Sequence, residues 1–163
     1  MKKMISVLLL CMGLFSPLLA ETIYSVDFSK PFINITDNID QVDVGHNTIY
    51  NNYYGNSWLL YSPGNSYIEI TFTKTPEVTG IPTLIISHLH SLHNGYGYSP
   101  INVYINDKRF LDHYDPMFGY YTDDTFSLGT EIKDGVNKIK ITFCKEGYTN
   151  YWINKLSIEF KEQ

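Results

Sequence analysis

From residue 57 onward the chain is written in short runs of alternating apolar and polar residues, each closed within a few positions by Gly, Pro, Asn or Asp. Alternation with a period of two is the mark of a strand with one wet face, and no window in this region sustains the roughly 3.6-residue period of a helix. Across residues 138–143, Ile139, Ile141 and Phe143 fall on one face and Lys138, Lys140 and Thr142 on the other. Ile68, Ile70 and Phe72 repeat the pattern within 67–73. The same reading predicts strands over residues 23–28, 57–61, 67–73, 83–91, 101–106, 109–111, 125–128, 136–143 and 152–160, with 29–56 unassigned. Such strands, joined by short turns, bury their apolar faces best as two stacked layers, so the expected class is all-β, a two-sheet antiparallel β-sandwich.

In an antiparallel succession, alternate connections lie at opposite ends of the sandwich. The connections 62–66, 93–100, 112–124 and 144–151 then share one end, and the tight turn at 106–108 and the Gly-bounded loop 129–135 share the other. The first group is long and rich in Tyr, Asn, Asp, His and Gly, the composition of loops that carry recognition on a rigid scaffold. One rim of the sandwich is the expected contact surface.

Lys2 and Lys3, an apolar run over 5–15 and the small Ala20 match the three parts of an export signal. Residues 1–20 are expected to be cleaved and 21–163 to form the domain. No later window is apolar enough to cross a bilayer, so the expected product is secreted, periplasmic or at the cell surface. Removing Lys2 and Lys3 from the 12 basic residues leaves 10 against 17 acidic ones, a formal charge of −7. That balance argues against nucleic acid or anionic lipid as a partner. Cys11 leaves with the signal and Cys144 remains alone, so core burial rather than an internal disulfide must hold the domain.

The segments PTLIISHLHS, SPINVYINDKRF, DTFSLGTEIKDGVNKIKITF and YWINKLSIEF carry turns at Asn106-Asp107 and Asp134-Gly135. Together, over roughly residues 57–160, they resemble the galactose-binding-like jelly rolls, and within them the carbohydrate-binding modules of secreted glycan-processing systems. The resemblance implies a jelly-roll sandwich, non-catalytic lectin-like binding of a glycan or glycoconjugate, loop aromatics that stack on pyranose rings, and often a structural calcium. In many such modules the last strand opens Asn-Ile-Asp, the Asn contacting sugar and the Asp helping to hold calcium. Here those positions are Trp152, Ile153 and Asn154, so neither role carries over at that place.

Sugars present hydroxyls around apolar C–H faces, so a site for them needs planar aromatics beside fixed donors and acceptors. The rim offers Tyr96 and Tyr98 in HNGYGYS, His113, Tyr114 and Asp115 in DHYDPMFGYY, Tyr120 at its end, and Tyr148 and Asn150 in EGYTNYW. The chain holds 14 tyrosines, more than packing calls for, since a buried Tyr must also satisfy its hydroxyl. The competing reading is that these are loop residues packed on the sandwich end and that Asp115-Pro116 opens a turn. Trp58 and Trp152 stand beside apolar neighbours and read as packing residues. TIYNNYYGNSW, residues 48–58, is a second aromatic-rich loop, which parity assigns to the far end.

His88 and His90 in HLHSLH share one side of a strand and, with His93, could seat zinc, similar to the His-x-His of cupins. The Glu expected three or four residues further on is missing, and histidines on the wetter sheet face are the simpler reading. Asp112, Asp115, Asp123 and Asp124 could supply oxygens to calcium but lack the EF-hand loop signature. The sequence has no nucleophile elbow, no His-Glu-x-x-His and no Gly-rich phosphate loop. A glycan-binding module is therefore expected before an enzyme. The alternatives are a metal-dependent jelly-roll enzyme using His88 and His90, and an adhesion domain whose rim aromatics meet a protein.

Overall fold

The computed structural model describes residues 23–31, 34–35, 38–61, 65–90, 99–117, 119–144 and 150–161. The expected signal segment, His93, Tyr96, Tyr98 and Tyr148 lie outside the described residues. The strands are β1 (Ile23–Asp27), β2 (Asn34–Ile35), β3 (Ile39–Val44), β4 (Thr48–Asn51), β5 (Ser57–Leu60), β6 (Tyr67–Lys74), β7 (Ile81–His90), β8 (Ile101–Ile105), β9 (Lys108–Tyr114), β10 (Thr122–Ser127), β11 (Gly135–Phe143) and β12 (Tyr151–Lys161). No helix of the described residues is long and apolar enough to cross a membrane.

The strands form the expected antiparallel sandwich. The first sheet runs β10-β7-β12-β1-β2, with β5 on β12 and β4 on β5; the second runs β3-β6-β11-β8-β9. Two short strands share one edge of β12. Residues 151–153 pair with β5, and 155–159 pair with β1. A bulge at Asn154 separates them, where Asn154 Nδ2 donates to the Asn56 carbonyl and its own carbonyl accepts from Phe28 N.

Ile68, Ile70 and Phe72 of β6 and Ile139, Ile141 and Phe143 of β11 are buried against Leu84 and Ile86 of β7 and Leu156, Ile158 and Phe160 of β12. Each such side chain withdrawn from water stabilises the fold by about 1.5–3 kcal/mol, less the entropy of fixing it. The period-two reading placed the β6 and β11 residues correctly.

Three expectations are corrected. The unassigned stretch 29–56 contains β2, β3 and β4, so the stretch 48–51 read as a loop is a strand. β9 extends to Tyr114 and β10 starts at Thr122, so Asp112, His113, Tyr114, Asp123 and Asp124 belong to strands, and the loop between them is only 115–121. The turn after β4 does not reach the far end. β5 pairs only with the opening of β12, and the turn therefore packs about a third of the way down that strand.

The grouping of connections stands. Tyr151 pairs with both His90 and Leu60, Thr122 with His88, Phe143 with Ile101, Thr142 with Tyr67, and Ile101 with Tyr114. The connections 61–66, 91–100, 115–121 and 144–150 thus join strand ends at one extremity of the sandwich. At the other, Asn106 and Asp107 take φ of 50° and 65°, the left-handed pair of a type I′ hairpin turn.

Candidate functional site

Four polar side chains connect the interior of the sandwich to the rim. β7 carries Leu84, Ile86, His88 and His90 on its inward side, and the strand phase that buries the first two also buries the histidines. His88 is 0 % exposed and His90 is 5 % exposed, which corrects their assignment to the wetter face. His88 Nε2 lies 2.8 Å from Asp124 Oδ2 and Nδ1 lies 3.0 Å from the Tyr151 hydroxyl. A carboxylate only accepts, so Nε2 carries the proton and Nδ1 accepts from Tyr151. The Tyr114 hydroxyl donates to the same Asp124 oxygen at 2.5 Å, and its ring stacks on His88 at 6.0 Å with 12° between planes.

The electrostatics follow from burial. Removal from water pushes the His88 pKa below its ordinary 6.5, against the opposing pull of Asp124. Burial first, and the bond to Asp124 second, push the Tyr114 hydroxyl up to about 12. Tyr151, wholly enclosed, is likewise raised above its ordinary value by burial. All three side chains stay neutral near pH 7, each with its polar atoms engaged. The group is a structural clasp between β7, β9, β10 and β12.

His90 supports the neighbouring loop. Its Nδ1 lies 2.9 Å from Asp115 Oδ1, which also accepts from Ser99 N at 3.2 Å. Its backbone exchanges bonds with Met117 O and Gly119 N, at 3.1 and 3.0 Å, carrying the sheet ladder past the end of β10. The 115–121 loop is thereby tied to β7 at several points.

These contacts bear on the metal readings. His88 has both ring nitrogens in use, so the proposed His88/His90 zinc pair lacks a free ligand atom on its first member. Among the described residues, no three His, Cys, Asp or Glu side chains converge on a point that could hold a metal ion. Asp112 is engaged by Arg109 and His113, Asp115 by His90, and Asp124 by His88 and Tyr114. The described carboxylates do not assemble a calcium site.

The remaining predicted residues occupy distinct positions. His113 is exposed at φ 50°, with Nδ1 2.8 Å from Asp112 and its backbone N–H on the Asn102 side chain. Tyr120 is 59 % exposed in the 115–121 loop. Asn150 is half-buried just before β12. The structure brings Tyr114 and Asp115 onto the two buried histidines, and leaves His113 and Tyr120 on the surface.

A second aromatic group lies just below this rim, on the outward face of the first sheet. Leu59, Leu89 and Trp152 form a small buried cluster there, with Tyr54 and Tyr121 packed on it. Trp152 and Trp58 are packing residues as expected; the Trp58 indole donates to Lys30 O at 3.0 Å. The alternation of β12 would have placed Trp152 outward, opposite Tyr151 and Ile153, but the aromatic cover it acquires comes from the separate turn after β4.

No family model and no curated protein sequence matches the chain. Solved structures do match its shape. The CBM36-1 domain of a multidomain xylanase from the hindgut metagenome of Trinervitermes trinervoides superposes with a TM-score of 0.55 and 14% identity, covering 85% of this chain and 95% of that one. A family 36 carbohydrate-binding module in complex with calcium and xylotriose gives 0.55 and 9%, over 82% and 98%. A variant of a family 29 module complexed with mannohexaose gives 0.52 and 11%, over 85% and 92%. The chain therefore has the jelly-roll fold of carbohydrate-binding modules, in agreement with the resemblance its segments carry.

Proposed function

We propose that this protein is a secreted, non-catalytic glycan-binding domain that meets its ligand with the loop rim. The observation that supports it most is the convergence of four connections at one extremity of a jelly roll, where Tyr120 is 59 % exposed and the loop bearing it is tied to β7. In this reading Tyr96, Tyr98, Tyr120 and Tyr148 stack on sugar rings, and His113, Asp115 and Asn150 supply donors and acceptors. Tyr114 offers a half-buried ring edge while its hydroxyl holds the clasp. Export follows from cleavage after residue 20.

The structural neighbours in complex with xylotriose and mannohexaose supply the first probes. Calorimetric titration is expected to show binding of at least one neutral oligosaccharide. Tyr120→Ala and Tyr148→Ala are expected to weaken it by roughly ten-fold or more, about 1.4 kcal/mol, with little change in thermal midpoint. Binding is expected to survive a chelator, because Asp112, Asp115 and Asp124 are already engaged by protein partners; loss on chelation would return calcium to the site. Failure of both sugars and of a broad glycan array would remove the reading and favour a protein partner.

A further inference from the structure

The β4–β5 hairpin builds an aromatic stack that the clasp does not use and that the rim loops touch only through Tyr121. Across the outward face of the first sheet, register aligns Ile49 with Leu59, Leu59 with Trp152, and Trp152 with Leu89. An unbroken apolar row therefore crosses four strands at right angles to their direction. Tyr54 closes over its middle, edge-on to the Trp152 ring at 5.3 Å. Tyr53 lies beyond it, 28° from the Trp152 plane at 6.5 Å and edge-on to Tyr54 at 5.0 Å.

Tyr53 is nonetheless 78 % exposed, the most open of the large hydrophobic side chains among the described residues. Two aromatic neighbours hold its ring while most of its surface meets water. A tyrosine that served only to cover Trp152 would lose exposure in doing so, as Tyr54 does. The turn is also built to hold it there: Tyr53 N donates to Asn51 Oδ1 at 2.7 Å, and Gly55 supplies the φ of 80° that brings the chain back into β5.

The chemistry around the ring selects the occupant. Residues 47–68 contain no Asp, Glu, Lys or Arg, in a chain that is 18% charged. The exposed residues nearest in the turn are Asn52, Gly55 and Asn56, two of them neutral amides. The next row of the same outward face carries Lys155 of β12 in register with Asp27 of β1 and, across Ser87, Asp123 of β10, one cation among two carboxylates rather than the cationic patch that nucleic acid or acidic membrane would require. A rigidly held aromatic face flanked by amides matches a neutral sugar ring, with its C–H face on the Tyr53 ring and its hydroxyls toward the amides.

We propose that Tyr53, backed by Trp152 and Tyr54, is a second saccharide-contact platform on the outward sheet face, which takes a neutral sugar unit and excludes uronic acids. It rests on the glycan-binding reading above. It adds the ring of Tyr53, which belongs to none of the four rim connections.

The test uses the purified protein with xylotriose, mannohexaose and a galacturonate trimer. Tyr53 is exposed, so Tyr53→Ala should leave the fold intact, checked by an unchanged thermal midpoint. The expected result is a roughly ten-fold or greater loss of affinity for the neutral oligosaccharide in Tyr53→Ala, retention in Tyr53→Phe, and no Tyr53-dependent binding of the galacturonate. The two indole N–H resonances give a local readout, assigned with a Trp58→Phe variant: that of Trp152 should move on titration more than that of Trp58. If Tyr120→Ala abolishes binding while Tyr53→Ala leaves it unchanged, the platform is overturned and the rim reading stands. Tyr53-dependent binding of the galacturonate would overturn the selectivity. If no sugar binds the wild-type protein, both fall.

Discussion

Tyr151 donates to one nitrogen of His88 and the other donates to Asp124, so the imidazole is complete as a neutral ring and gains nothing from a second proton. Its folded pKa lies below 6.5 because burial penalises the cation more than Asp124 and Asp123 favour it. The unfolded chain therefore binds a proton near pH 6.5 that the native state takes up only at lower pH. Stability from this group is full above about 6.5 and is lost as pH falls from there through the folded value, with a slope of at most about 1.4 kcal/mol per pH unit. His88→Gln should remove that slope and cost about 1–3 kcal/mol at neutral pH, since the enclosed Tyr151 hydroxyl loses its acceptor. Urea midpoints of both proteins at neutral pH and near pH 5.5 check this. Parallel loss of stability in the two would show that His88 is not the titrating group.

At the scale of the element, the β8–β9 hairpin turns on Asn106 and Asp107, both at positive φ. Asn106 is braced there: its Nδ2 reaches Glu131 O and Asn137 Oδ1, and its Oδ1 accepts from Lys138 N. Asp107 is exposed and pays the left-handed penalty with no side-chain bond in return among those described. Asp107→Gly should stabilise the fold by up to about 1 kcal/mol, and Asp107→Val should destabilise it by about 1–2 kcal/mol, because a β-branched side chain is the worst occupant of that region. Denaturant midpoints at constant m-value decide the matter; equal midpoints for Gly and Val would mean that the turn has relaxed to another type. This hairpin was legible in the sequence because its turn residues and flanking alternation agree. β3 was not, because the bulge between Ile39 and Gln41 breaks the period, leaving Ile39, Val42 and Val44 at uneven spacing. β4 is four residues of mixed character, whose partner strand gives it its meaning. The histidines of β7 were misplaced for a different reason. Phase from Leu84 and Ile86 pointed them inward, and polarity argued otherwise; phase prevailed because Asp124, Tyr151 and Asp115 were waiting to satisfy them. The platform under Tyr53 was legible only as an aromatic-rich segment, since its location depends on where a short hairpin meets β12.

Over the whole molecule, the ion pairs among the described residues, and the cations that sit on rings (Lys140 on Tyr67, Arg109 on Tyr104, Lys74 on Phe160), involve no residue of the β4–β5 hairpin. Lys74 pairs with Asp134 and Lys108 with Glu131 at the end that holds the short turns, and Lys138 and Lys140 pair with Glu69 on the outward face of the second sheet. The β4–β5 hairpin, residues 48–60, has no charged side chain and belongs to the first sheet. A ligand seated on that hairpin is met first by rings and amides, and the rim beside it adds the carboxylates of Asp112 and Asp115. Raising ionic strength from about 0.01 M to about 1 M shortens the screening length from roughly 30 Å to roughly 3 Å. A partner drawn in by charge would lose affinity steeply across that range. A neutral saccharide held by stacking and hydrogen bonds should change its affinity by less than about three-fold, or 0.6 kcal/mol, measured by calorimetry with the oligosaccharide that binds best. A steep salt dependence would mean that the contact is made at charged groups rather than at the rings and amides.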